Sequence, residues 1–157
     1  TQGGILQDEE PVQAMFRELH EEVGLRPEDV EVLGVTSDWL RYRLPDMFVR
    51  RHIKPICIGQ KQRWFMLRLV SDDNCVLFDC VDKPEFDRIR WVTFWSPVNE
   101  VLYFKRRVYV RALHELGACV HPDGLAKQPR WCPRRWRAVF EKDMASARKE
   151  AEEVPKS

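Results

Sequence analysis

The stretch from Pro11 to Val23 constrains the fold more than any other part of the sequence. Val12, Met15, Phe16, Leu19 and Val23 recur at i, i+3, i+4, i+7 and i+11, the spacing that gathers apolar side chains on one face of an α-helix. The punctuation at its ends agrees. Asp8, Glu9 and Glu10 supply a cap and negative charge at the positive end of the helix dipole, Pro11 suits the first turn, and Gly24 suits a left-handed stop. A helix of this kind is stable only with its apolar face covered, and 157 residues are enough for one domain that covers it.

The partners of that face are legible further along. Residues 30–35, 39–44, 60–70 and 90–95 are rich in β-branched and aromatic residues and predict strands, the run 60–70 most strongly; a Pro- and Arg-containing loop separates the second from the third. Ser96-Pro97 predicts a helix start. Val108, Tyr109, Ala112, Leu113 and Leu116 then form a stripe that ends at Gly117, so this helix is expected to cover the sheet. Composition changes after residue 121. Residues 127–137 hold five bases and no acid, with Trp131 and Trp136 between Pro129 and Pro133 or beyond, and residues 138–153 favour helix but carry a weak apolar stripe. The expected organisation is a domain over 1–121 and a basic, partly helical extension over 122–157.

Composition excludes several classes. No run approaches the roughly 20 apolar residues of a spanning helix, and the first residues do not read as a secretory leader, so no membrane or secreted role is expected. Five cysteines without a C-x-x-C pair indicate neither a disulfide framework nor a zinc site, and a reducing cytoplasm fits them. No P-loop or Ser/His/Asp order is present, and the histidines have no ligand spacing. The net charge of +1 conceals segregation: residues 1–38 hold ten acids against Arg17 and Arg26, while residues 39–70 hold eight bases against Asp46.

The acids converge on the first helix. Glu18, Glu21 and Glu22, at i, i+3 and i+4, share an arc of roughly 100° beside the apolar stripe. Like charges at that spacing destabilise a helix by a few tenths of a kcal/mol per pair. Two arrangements answer the repulsion. A divalent cation such as Mg²⁺ or Mn²⁺ takes hard oxygen ligands and shares them with substrate phosphates; alternatively the arc is a solvated acidic face with Arg17 bridging to Glu21.

Gly3, Glu9 and Arg17-Glu18-Leu19-His20-Glu21-Glu22-Val23-Gly24-Leu25 reproduce the pattern G-x5-E-x7-R-E-U-x-E-E-x-G-U, with U a bulky aliphatic residue. The chain therefore resembles the Nudix hydrolases. The resemblance implies an α/β Nudix fold with a mixed β-sheet sandwiched between helices, a loop-helix-loop that binds divalent cations through Glu18, Glu21 and Glu22, and structural roles for Gly3, Glu9, Arg17 and Gly24. Further matches at residues 12–17, 39–45, 54–62, 84–87 and 104–106 are similar to the bacterial RNA pyrophosphohydrolases, also described as dinucleoside polyphosphate hydrolases. That likeness implies metal-assisted attack of water at phosphorus, converting a 5′-triphosphorylated RNA end to a 5′-monophosphate, with nucleoside polyphosphates as alternative substrates. It makes Glu85 a fourth acidic ligand, Mg²⁺ or Mn²⁺ the cofactor, and Gln60, Phe104, Lys105 and Arg106 the contacts to RNA. Read from the residues alone, Phe104 is equally a packing residue under the second helix and Gln60 an ordinary polar edge residue.

Two departures from the pattern bear on these expectations. Relatives of this kind carry a further sheet strand, and residues facing the RNA end, before the Gly3-Gly4 pair, so the domain is expected to be N-terminally incomplete here, and a catalytically impaired RNA-binding protein is the rival reading. Asp8 stands where relatives commonly have Gly, which alters the turn without altering the ligand count.

Overall fold

The computed structural model describes residues 3–78, 86–121, 123, 124 and 129. In chain order these form α1 (Pro11–Val23), β1 (Val30–Val35), β2 (Leu40–Arg43), β3 (Gly59–Gln62), β4 (Phe65–Leu69), α2 (Ser96–Glu100) and α3 (Arg106–Leu116), joined by short 3-10 turns. The mixture of helices and paired strands is the expected α/β class. Both strand pairs are antiparallel, β1 with β4 and β2 with β3, and the first has a register irregularity between Val32 and Gly34.

The chain divides into two compact units, each assembled from two segments: Thr1–Ser37 with Arg63–Trp91, and Asp38–Gln62 with Val92–Ser157. In the first, the apolar face of α1 meets the β1/β4 pair. Leu19, Leu25 and Val30 are buried, with Met15, Phe16, Val23, Leu67, Leu69, Cys75 and Val76 packed around them. Each fully buried Leu or Val contributes about 1.5–3 kcal/mol, so this cluster fixes which face of α1 turns inward. In the second, Trp95, Val98 and Val110 form the buried centre beneath Phe94, Tyr109 and Leu113, and α3 packs on β2.

Three elements differ from their sequence expectation. The run 60–70 is not one strand: β3 ends at Gln62, β4 starts at Phe65, and they pair in different sheets. Ser96 to Gly117 is not one helix, because Val101 leaves helical geometry (φ −77°, ψ 158°) and a turn closed by the Lys105 N–H on the Leu102 carbonyl (2.9 Å) precedes α3. Residues 90–95 join no ladder among the described residues; Trp91 is 70% exposed, with its indole N–H donating to Asp73 at 2.7 Å, and the Ser96 N–H donates to the Thr93 carbonyl. A β-favouring composition suits a pleated surface, but a strand also needs an edge to pair with. Among the described residues no helix is long and apolar enough to cross a membrane. Glu85, Trp131, Trp136 and nearly all of the expected 122–157 extension lie outside the described residues.

Candidate active site

The site begins with how α1 is started and stopped. Glu10 is its N-cap, exchanging a reciprocal pair of bonds with Gln13, and Pro11 occupies the first turn. Gly24 closes the helix in the left-handed region at φ 72°, its N–H donating to the His20 carbonyl at 2.9 Å. Ahead of the cap, a turn over Leu6 to Glu9 is closed by the Glu9 N–H on the Leu6 carbonyl, and Asp8 within it sits at φ 62°. This is the position at which a glycine would relieve the backbone.

Arg17 ties that turn to the helix. Its Nε and Nη2 donate to the two oxygens of Glu9 at 2.9 and 3.0 Å, a bidentate pair, and Nη2 also donates to the Gly4 carbonyl at 2.7 Å. Its Nη1 donates to Glu18 Oε1 at 2.7 Å and to Glu21 Oε2 at 3.3 Å. Glu9 accepts a further bond from the Leu6 N–H at 2.8 Å. The Arg17 guanidinium, with that N–H, holds the Glu9 carboxyl below the usual glutamate range, and the carboxylates in return raise Arg17. One cation thus gathers three acids and a backbone carbonyl.

The carboxylates of the arc differ in exposure. The Glu21 side chain is 46% exposed, Glu18 is 18% exposed, and Glu22 as a residue is 6% exposed, the deepest of the three. Gly3 adjoins Glu18 so closely that a β-carbon there would overlap the Glu18 carboxyl group. The donor set suits a hard divalent cation by its chemistry, since it offers oxygens only and spans a buried to an exposed carboxylate. As the side chains stand, Arg17 holds Glu18 and Glu21, and among the described residues no three His, Cys, Asp or Glu side chains form a group that could hold a metal ion.

The residues expected to contact RNA belong to the second unit. Gln60 on β3 pairs in register with Tyr42 on β2, whose hydroxyl donates to Gln60 Oε1 at 2.5 Å. Lys105, the N-cap of α3, holds its ammonium 5.5 Å from the centre of the Tyr42 ring. Arg106, the first residue of α3, donates from Nη2 to the Asn99 carbonyl at 3.2 Å, which ties it to the end of α2. Phe104 is half-buried at the centre of an aromatic group, 5.6 Å from Tyr42, 5.3 Å from Phe48 and 5.5 Å from Tyr103. Sequence reasoning singled out neither Phe48 nor Tyr103. The adjacency of Tyr103 to Phe104 was the available signal for one; nothing local marks Phe48.

Comparison with known proteins gives this arrangement a relationship. The chain matches the NUDIX domain over residues 1–113. It is 60% identical over 128 residues to the RNA pyrophosphohydrolase of Alkalilimnicola ehrlichii, an alignment covering 82% of this chain and 71% of that protein. It is 60% identical over 129 residues to the RNA pyrophosphohydrolase of Thioalkalivibrio sulfidiphilus, covering 82% and 75%, and 59% identical over 115 residues to that of Pseudomonas putida, covering 73% and 72%. The domain match takes in α1, the turn before it and the strands that bury its apolar face, and by that span and these identities the chain belongs to the Nudix family.

Proposed function

We propose that this chain removes pyrophosphate from 5′-triphosphorylated RNA and leaves a 5′-monophosphate. The observation that carries the reading is 60% identity over 82% of the chain to proteins named RNA pyrophosphohydrolase. In the reaction a P–O bond forms to the oxygen of water, the phosphoanhydride P–O bond breaks, pyrophosphate leaves, and the proton from water is taken up by a base. Nudix proteins use divalent cations. Here Glu18, Glu21 and Glu22 would hold the ion, with Glu85 as a fourth ligand and Mg²⁺, or Mn²⁺ in its place, as the species. Such an ion would neutralise polyphosphate charge and lower the pKa of water, making hydroxide available as the nucleophile.

The rest of the chemistry falls to the chain's own side chains. Arg17 holds the loop carrying Gly3, Gly4 and Glu9 against the carboxylate helix, so the ledge is placed before substrate arrives. The base in this reading is one of the three helix carboxylates, Glu18, Glu21 or Glu22. Gln60, Phe104, Lys105 and Arg106 contribute affinity for RNA, Phe104 by stacking and the cations by phosphate contact. Residues 1–121 carry this catalysis and 122–157 form a basic extension. The setting is the cytoplasm, in 5′-end processing that leads to mRNA decay; the free thiols Cys57, Cys75 and Cys119 suit a reducing compartment.

The test is hydrolysis of 5′-triphosphorylated RNA, with a dinucleoside polyphosphate as competitor, by the unmodified chain and by Glu22→Gln. The substitution removes one carboxylate charge at nearly constant shape and is expected to lower kcat roughly a hundred-fold or more. Glu85→Gln should act in the same direction and more weakly. Full turnover by Glu22→Gln at saturating Mg²⁺ would sink the assignment of the ledge.

A further inference from the structure

The aromatic group of the second unit is larger than stacking by Phe104 requires, and its most accessible rings are not Phe104. Phe48 is 42% exposed and Tyr103 is 59% exposed, while Phe104 and Tyr42 are half-buried. The contacts explain the difference. Phe104 touches all three of the other rings, and Tyr42 is held from one side by Gln60 and approached by the Lys105 ammonium. These two make a fixed floor, and Phe48 and Tyr103 stand on it.

Neither exposed ring lies face to face with Phe104. Phe48 is tilted to it by 48° and Tyr103 stands at 86°, edge to face. The rings therefore do not occlude one another as a parallel stack would, and flat surfaces remain for another planar group. Both positions are also fixed by backbone bonds. The Phe48 N–H donates to the Pro45 carbonyl at 2.8 Å, and the turn carrying Tyr103 is closed by the Lys105 N–H on the Leu102 carbonyl at 2.9 Å. Isolated exposed apolar residues are ordinary, but several contiguous rings held on turns beside a cation make a recognition surface. The chain segment supplying Tyr42 and Phe48 lies in the stretch with eight bases against one acid, which selects a polyanion over an acid-binding or neutral apolar partner. Aromatic faces interleaved with cations are what an unpaired nucleic acid strand takes.

We propose that Phe48 and Tyr103 form a second stacking ledge that engages unpaired bases of the RNA beyond the one stacked on Phe104. The ledge gives the chain a preference for single-stranded 5′ ends several nucleotides long over nucleoside triphosphates. This rests on the RNA reading above, and its test separates the two. Binding of a labelled single-stranded RNA oligonucleotide is followed by fluorescence anisotropy, and hydrolysis is measured on its 5′-triphosphorylated form and on a nucleoside triphosphate. The Phe48→Ala/Tyr103→Ala double variant should raise Kd and KM for RNA about ten-fold, well beyond any change in KM for the nucleoside triphosphate, with kcat moving far less. Phe48→Trp and Tyr103→Phe keep a ring at each position and should retain RNA affinity, which separates lost stacking from lost packing. An unchanged Kd in the double variant would overturn the ledge, as would equal losses on both substrates or equal losses in the ring-keeping variants. RNA binding that depends on the rings, in a chain that does not hydrolyse RNA, would instead remove the pyrophosphohydrolase reading and leave the ledge standing.

Discussion

A side chain at position 3 and the carboxyl group of Glu18 would compete for the same space. The atoms that must yield are the far end of a flexible side chain, so Gly3→Ala should fold normally while pushing Glu18 out of the ledge. A misplacement of about 1 Å at a reacting centre can cost a hundred-fold, so turnover is expected to fall roughly ten- to a hundred-fold with little change in melting temperature. Gly4 gives the matched comparison. A β-carbon there meets nothing, and its carbonyl, which accepts from Arg17, survives the change to Ala. Gly4→Ala should therefore keep its activity, and equal losses in the two variants would mean that glycine matters there for backbone freedom alone. At this scale much was legible. The shared arc of Glu18, Glu21 and Glu22 follows from helical spacing, and Asp8 stands out in the sequence only as a place where relatives commonly have Gly; its left-handed backbone, φ 62°, comes from the structure. Phe48 was not legible, because its meeting with Phe104 depends on folding of residues far apart in the chain and no local pattern encodes that distance.

The turn at residues 6–9 and α1 act as one element because of the Glu9–Arg17 pair, and that makes its integrity sensitive to acid. Arg17 and the Leu6 N–H hold Glu9 below its ordinary value of 4.5 in the folded chain, so over the intervening range the unfolded chain binds more protons. The stability this contributes is fully present above the ordinary value and is lost as pH falls through the folded one. Glu9→Gln should therefore lower the melting temperature near neutral pH, and the gap from the unmodified chain should narrow as pH drops below about 4.5. A gap constant with pH would show that Glu9 acts through shape and not charge. Element boundaries followed the same division between local and distant causes. α1 and β1 have the bounds expected of them, because the apolar period, Pro11 and Gly24 are local signals. The division of 60–70 into β3 and β4 is set by which strand each half meets, β2 for one and β1 for the other, and alternation within the run is silent about that choice.

For the whole molecule, the acidic stretch through Ser37, with α1, and the part of the basic stretch that carries β2 and β3 fall in different compact units, each with its own buried cluster, while Arg63 and Arg68 belong to the unit of α1. Much of the charge segregation seen in the sequence is thus also a division of the fold. Residues 127–137 extend the basic balance with Lys127, Arg130, Arg134, Arg135 and Arg137 and no acid. Cations in such a stretch attract the RNA backbone whatever its sequence, and each phosphate neutralised on a single strand adds about 0.7 to the slope of log affinity against log salt. Replacing those five residues by Gln should reduce that slope by about 1–3 and weaken RNA binding most at low salt, because only some of the cations meet phosphate at once. In the proposed reaction, turnover of a nucleoside triphosphate depends on the carboxylates of α1 and should be far less affected. The measurement is RNA affinity at several salt concentrations for the full chain and the neutralised variant, with melting temperatures alongside. An unchanged slope would remove the basic stretch from RNA capture. A large fall in melting temperature would show that these side chains contribute to the stability of the fold, and the loss of affinity would then have to be measured again at a temperature where the variant is fully folded.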